Sequence, residues 1–225
     1  MEFESFVLAA VTADLDAAPA ARAAADAIEF RMDRAEAPLD QLRAYDGALP
    51  VIATNRVETE GGEAPDDRSR IEALVTAASI PSVEAVDIEA AALDADATAD
   101  PPMPGEGSDV TRIVSVHDFE TTPAMAEMAA TLRAACQAGD VGKLAVRAVE
   151  VGDVLALLEV TRELTAEGLT VATMAMGAAG RHSRAVAPVY GSRIGYAPVS
   201  ADEATAPGQI ELATLRTLVD ALGAP

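Results

Sequence analysis

The stretch RIVSVHDFETTPAMAEMAATLRAACQAGDVGKLAVRA, residues 112–148, holds two short β-rich runs, RIVSVHD (112–118) and GKLAVRA (142–148), on either side of a segment of helical character. Both runs are too apolar for strands with one face in water, so they read as strands of a parallel sheet covered outside by helices. The same alternation recurs outward along the chain. FVLAAVT (6–12), AIEFRMD (27–33), PVIATNR (50–56) and AVDIEA (85–90) come before, and LTVATMAMG (169–177) and RIGYAPV (193–199) follow, making eight β-rich runs. Amphipathic patterns lie between several of them, such as Ile71, Leu74, Val75 and Ala78, or Leu215, Leu218, Val219 and Leu222. Eight such units in 225 residues predict an α/β fold of the (β/α)8 TIM-barrel type, forming one domain over residues 1–225.

Composition removes several classes of function. The 16 Lys and Arg stand against 37 Asp and Glu, a formal charge of −21, which argues against binding a nucleic-acid backbone or an anionic membrane surface. The acids are interspersed with apolar residues in helical phase, so they read as the solvated surface of a salt-adapted protein rather than a disordered tail. Cys136 is the single cysteine and has no histidine or second cysteine nearby in the sequence, so it reads as helix packing. No apolar run approaches the ~20 residues that span a bilayer. The opening residues MEFESFVLAAV lack the basic start of a signal peptide. A soluble cytoplasmic protein is expected. No early strand is followed by G-x-G-x-x-G, and no G-x-x-x-x-G-K-[ST] occurs. Two stretches interrupt the alternation: residues 94–109, rich in Pro, Gly and Asp, which predict a short fourth helix and a solvated loop, and residues 200–209, a polar loop placed to act as a lid.

Working residues of such a barrel sit at or just after the C-terminal ends of the strands. That rule collects Glu29 and Arg31 from the second strand, Arg56 from the third, His117 from the fifth, Lys143 from the sixth and Arg184 after the seventh. Among 15 arginines, Lys143 is the only lysine, and it lies inside a strand, flanked by Leu144, Ala145 and Val146. A lysine desolvated near cationic side chains gives up its proton more readily, leaving an amine able to attack a ketone; an ion-paired structural lysine is the alternative. His117 suits a general base or acid, and Glu60 in the loop after the third strand is placed to orient it. Glu29 and Arg31, two apart, share a strand face and suit either ring hydroxyls or each other. The MGAAGRHSR run (176–184) presents Arg184, whose planar fork matches a carboxylate. His182 in the same run lacks a strand-end position and reads as ordinary surface.

Taken in order, Glu29-Phe-Arg31, Ser115-Val-His117-Asp118-Phe119, Lys143, Met176 to Arg184 and Ala206-Pro-Gly-Gln209 resemble the motifs of type I 3-dehydroquinate dehydratases over nearly the whole chain. The resemblance implies a shikimate-pathway lyase in which Lys143 forms a Schiff base with 3-dehydroquinate. His117, paired with Glu60, then removes a proton, and water leaves by syn elimination to give 3-dehydroshikimate. It further implies that Glu29, Arg31 and Arg56 hold ring hydroxyls, that Arg184 binds the carboxylate and that Thr205 and Gln209 close over the substrate. The resemblance implies neither metal nor cofactor, and it implies a homodimer as the working unit, which the sequence by itself does not reveal. Two departures stand out: alanine near Ala9 where some relatives carry a serine, and a start almost directly at the first strand, without the hairpin that closes the barrel floor in longer relatives. A class I Schiff-base aldolase and a non-catalytic carboxylate-binding barrel are the competing readings; the lack of a clear phosphate cradle argues against the first, and the joint presence of nucleophile, base and anion anchor against the second.

Overall fold

The computed structural model describes residues 1–65, 68–94, 104–105, 107, 109–199 and 208–223. Eight strands alternate with helices: β1 (Val7–Thr12), β2 (Ala27–Arg31), β3 (Val51–Thr54), β4 (Val83–Glu89), β5 (Thr111–Asp118), β6 (Val141–Arg147), β7 (Val171–Met176) and β8 (Ile194–Pro198). The helices are α1 (Ala18–Ala21), α2 (Pro38–Ala44), α3 (Arg68–Ala78), α4 (Ala90–Asp94), α5 (Met125–Ala138), α6 (Val151–Ala166), α7 (Gly177–Gly180), α8 (Ser183–Val186) and α9 (Leu212–Leu222). The strands form one parallel sheet in the order β7-β6-β5-β4-β3-β2-β1-β8. At the seam between its two ends, the Arg193 N–H donates to the Val171 carbonyl at 2.8 Å and the Thr173 N–H donates to Ser192 Oγ at 2.9 Å. These bonds draw β8 against β7, and the sheet becomes the nearly closed barrel expected from eight alternating units.

Side chains alternate across the sheet. Leu8, Ala10, Ile28, Phe30, Val51 and Val86 face outward and pack beneath the helices with Leu74, Leu212, Leu215 and Val219. Leu144, Val146 and Val171 do the same beneath α5 and α6. The opposite faces contribute Ala9, Ala27, Ile52, Ala85, Ile113, Val141, Ala172 and Ile194 to the barrel interior. Phe3 is buried against this inner cluster, Met1 packs beside it, and Thr111 Oγ donates to the Met1 carbonyl at 2.6 Å. The segment before β1 thus places apolar side chains against the N-terminal end of the barrel interior. A glycine is required at position 142 by close approach: a Cβ there would sit 2.6 Å from Cys136 Sγ and 2.9 Å from the Leu132 carbonyl oxygen. Its absence lets α5 lie directly on β6, and Cys136 is a half-buried part of that contact.

Several boundaries differ from the sequence expectation. The second strand ends at Arg31 rather than residue 33, because Met32–Arg34 turn into a 3-10 helix that brings Asp33 back to Arg31. The third ends at Thr54, before Asn55 and Arg56 leave the ladder. The glycine-bearing run after β7 forms two short helices, α7 and α8, with Gly177 at φ 85° opening the first. The fourth helix is short, as expected; most of the Pro- and Gly-rich stretch after it, and residues 200–207 of the polar loop before α9, lie outside the described residues. No helix among the described residues is long and apolar enough to cross a membrane.

Candidate active site

Toward the C-terminal ends of the strands, the inward positions change from apolar to ionisable. On β2 the series runs Ala27, Glu29, Arg31; on β4, Ala85, Asp87, Glu89; on β5, Ile113, Ser115, His117; on β6, Val141, Lys143, Ala145. Residues two apart share a face, so this pattern stacks a charged layer on a hydrophobic one. Register brings Ser115 level with both Glu89 and Lys143.

Lys143 is only 4% exposed. Its Nζ donates to Asp87 Oδ2 at 2.7 Å, stands 3.9 Å from Glu29 Oε1, and lies over the Tyr196 ring at 4.1 Å from the centroid. The lysine is therefore desolvated as the sequence suggested, but its nearest charged neighbours are carboxylates rather than cations, because β4 contributes Asp87 between Lys143 and Arg56. Arg56 donates to Asp87 Oδ1 at 2.6 Å and to Ser115 Oγ at 2.7 Å, and stands 3.0 Å from Glu89 Oε1. Ser115 Oγ in turn donates to Asp87 Oδ1 at 2.7 Å. Burial alone would raise the Asp87 pKa, but Arg56 and Lys143 outweigh it and hold the carboxyl well below its usual range. Burial opposes the charge on Arg56 too, and there Asp87 and Glu89 prevail, leaving the guanidinium more basic than usual. Arg56 is thus held by Asp87, Glu89 and Ser115, so any contact to a bound hydroxyl is made by an arginine already fixed in place.

Glu89 also accepts from the Val57 N–H at 3.1 Å and from Arg70 of α3 at 2.5 Å. This pins the start of the β3 to α3 connection, whose 3-10 turn Glu58–Glu60 presents Glu60. Glu60 Oε2 accepts the His117 backbone N–H at 3.1 Å and lies 2.8 Å from His117 Nδ1. With Nδ1–H donated to the carboxylate, Nε2 carries the lone pair. Gly61, at φ 78°, follows Glu60 where a Cβ would meet the Phe119 ring, and that ring stacks on His117 with centroids 6.2 Å apart. Burial, reinforced by the nearby Arg56 and Lys143 charges, holds the His117 pKa well below its ordinary value. Burial pushes Glu60 up to about 7, against the pull of Arg56.

Glu29 accepts from Thr54 Oγ1 at 3.1 Å. Arg31 forms a two-pronged bond with Asp33, at 2.9 and 2.7 Å, so its partner is the acid two residues later, not Glu29. Arg184 is buried in α8, which is tied to β7 through the Ala175 N–H donating to Ser183 Oγ at 3.0 Å; burial lowers the Arg184 pKa to about 10. Gln209 lines the same cleft as Lys143, His117 and Arg184. Thr205 lies outside the described residues, and His182 is exposed. The barrel mouth therefore gathers Glu29, Arg31, Arg56, Glu60, His117, Lys143, Arg184 and Gln209 around one cleft. A far larger groove, about 670 Å³, lies between α1 and α2 and is lined by Asp14, Asp16, Glu36, Asp40 and Asp46. Chemistry, not size, locates the site: the groove has no buried amine or imidazole.

The sequence pattern of type I 3-dehydroquinases matches residues 5–224. The chain belongs to the type I 3-dehydroquinase family. The 3-dehydroquinate dehydratase of Haloarcula marismortui is 57% identical over 99% of this chain and 98% of its own, and that of Halobacterium salinarum is 54% identical over 97% and 98%. The crystal structure of 3-dehydroquinate dehydratase from Geobacillus kaustophilus superposes with a TM-score of 0.85 at 28% identity, covering 98% of this chain and 92% of the other. In this type I 3-dehydroquinase, sequence reading passed over Asp87, Glu89, Ser115 as a bonding group, and Tyr196. The signal for the first two was present: two acids at alternate positions of AVDIEA, a run otherwise too apolar to face water.

Proposed function

We propose that the chain dehydrates 3-dehydroquinate to 3-dehydroshikimate through an imine at Lys143, working as one catalytic domain over residues 1–225. The observation that carries this reading is the buried amine of Lys143 sharing a cleft with the His117–Glu60 pair and Arg184. Nζ condenses with the ring ketone. Asp87, 2.7 Å from that nitrogen, keeps a negative charge beside the iminium that makes the neighbouring C–H acidic. His117 Nε2 takes the proton, since Nδ1 is committed to Glu60. The enamine expels the adjacent hydroxyl as water, with His117 returning a proton, and hydrolysis frees the product. Arg184 supplies the fork for the substrate carboxylate; Glu29, Arg31, Arg56 and Gln209 surround the ring hydroxyls, with Thr205 joining from the loop before α9. The chain operates in the cytoplasm, on the shikimate pathway to aromatic amino acids. It assembles as a homodimer, for which the exposed Met125, Val149, Val151 and Leu155 offer an apolar face; sedimentation should give twice the 23.1 kDa of one chain.

The decisive experiment is borohydride reduction in the presence of 3-dehydroquinate, followed by peptide mapping. A reduced adduct on Lys143 together with dehydroshikimate absorbance is expected. No adduct there overturns the reading, and adducts formed only with sugar-phosphate ketones turn it toward an aldolase. The His117→Ala variant should keep trappable imine while dehydration falls by about 10²–10⁴-fold. Unchanged turnover removes His117 from its role.

A further inference from the structure

The buried stripe of α3 is Arg70, Leu74 and Ala77, so an arginine, 3% exposed, fills a position where the helical spacing calls for an apolar side chain. Arg70 does not line the cleft; it stands behind it. Its Nη1 donates to Glu89 Oε2 at 2.5 Å and to the Asn55 carbonyl at 3.1 Å, and Asn55 Nδ2 donates back to the Arg70 carbonyl at 3.2 Å. Apolar side chains of similar volume often hold two elements together as well as a buried ion pair does. What the guanidinium adds is direction, because its bonds fix where the Glu89 carboxylate and the Asn55 carbonyl stand.

From Glu89 the bonds continue to the catalytic pair. Its other oxygen, Oε1, accepts from the Val57 N–H at 3.1 Å and faces Arg56. The Val57 carbonyl accepts from the Glu60 N–H at 3.1 Å and from the Gly62 N–H at 3.0 Å, so the turn that presents Glu60 hangs on the Val57 peptide. The far side of that turn returns at Ala64, whose N–H donates to the Arg56 carbonyl at 3.1 Å and whose carbonyl accepts from the Glu58 N–H at 3.0 Å. Glu60 then accepts from the His117 backbone N–H and meets Nδ1. Asn55 and Val57 are thus held from behind by Arg70, directly or through Glu89, and the chain beyond them carries the carboxylate that sets the imidazole. We infer that Arg70 is a positioning residue for the base: acting through Glu89 and Val57, it fixes where Glu60 holds the His117 ring. A misplacement of about 1 Å in such a group can lower the rate by ~10²-fold, so a residue outside the cleft has leverage on the reaction.

The inference rests on the reading of His117 and Glu60 as the base above, and the test separates the two. Arg70→Met keeps the apolar stem and removes the guanidinium, whereas Arg70→Met/Glu89→Gln removes both charges of the pair. The chain has two histidines, and the exposed His182 exchanges its ring protons with water. With the imidazoles labelled with nitrogen-15, the parent should therefore show one protected ring N–H signal, that of His117 Nδ1 bonded to Glu60. In both variants that signal should broaden or vanish, and kcat should fall by about 10–100-fold with KM near the parental value. Arg70→Lys, which keeps a cation for Glu89, should recover part of both. A folded variant with a lower unfolding midpoint but a parental Nδ1–H signal and kcat overturns the inference, because Arg70 then serves the fold alone. If Arg70→Met does not fold, the double variant decides by the same measures, and a double variant that cannot fold also assigns Arg70 to the fold. If the parent itself does not dehydrate 3-dehydroquinate, the base reading fails; if it does and the variants match it in signal and kcat, only the role of Arg70 fails.

Discussion

At the scale of single residues, the site is organised by two carboxylates with opposite fates. Asp87 has two cations within hydrogen-bonding distance and stays ionised, whereas Glu60 has only His117 and is pushed up to about 7 by burial. The ionised Glu60 carboxylate is the stronger acceptor for the two His117 N–H groups and raises the basicity of the imidazole, so kcat/KM should climb with pH through about 7. Glu60→Gln should erase that limb and lower the plateau by about 10–100-fold; a variant that retains the limb assigns it elsewhere. The same group bears on stability, with a definite sign. Its folded pKa lies above the ordinary 4.5, so the folded chain binds more protons between those values and loses stability as pH rises through them. At pH 8, Glu60→Gln should therefore be more stable than the parent by roughly 1–3 kcal/mol, measured by denaturant unfolding. Lys143 and His117 could be singled out in the sequence because one is unique and the other ends a strand. Asp87 and Glu89 could not be assigned partners, because their roles depend on β4 lying beside β3 and β5 in a particular register, and a linear pattern carries no register. The Arg31–Asp33 pairing escaped for a local reason: it needs the 3-10 turn that begins where a longer strand was expected.

At the scale of elements, the eight strands were legible because strands of a covered parallel sheet are nearly continuous apolar runs, and every run found in the sequence overlaps one of the eight strands. Short helices were not: α1, α7 and α8 have four residues each, too few for a periodic face. Nor could the sequence reveal how the barrel meets itself. Ser192 is buried at the β7 to β8 seam, where its Oγ accepts from the Thr173 N–H at 2.9 Å and donates to the Thr173 carbonyl at 3.4 Å. Ser192→Ala leaves that N–H without its acceptor and should destabilise the fold by about 1–3 kcal/mol, seen as a lower thermal midpoint. Thr217→Ala, at an exposed position of α9, removes a hydroxyl that bonds only its own helix and should change stability by less than about 0.5 kcal/mol. Equal midpoints for the parent and Ser192→Ala would mean that the seam is held without the Ser192 hydroxyl, by packing and the Arg193 to Val171 backbone bond.

At the scale of the whole molecule, the formal charge of −21 sits on a 225-residue chain, and its two populations of charge behave differently. The buried ions at the barrel mouth are paired at 2.6–3.0 Å and are little affected by salt, because solvent ions cannot enter between them. The surface carboxylates repel one another through water, which destabilises the compact state. Relatives over 50% identical come from Haloarcula marismortui and Halobacterium salinarum. Raising KCl from about 0.1 M to 1 M shortens the screening length from ~10 Å to ~3 Å. Relief of a few kcal/mol of repulsion should lift the thermal midpoint by roughly 5–10 °C, with most of the rise complete by about 1 M because little screening remains to be gained beyond it. The rate of imine trapping on the folded enzyme should change far less over the same range, since Lys143, Asp87 and Arg56 lie out of reach of the salt. A midpoint that stays flat to 1 M and climbs only above it would instead assign the stabilisation to salt-strengthened apolar burial, and surface repulsion would no longer account for it.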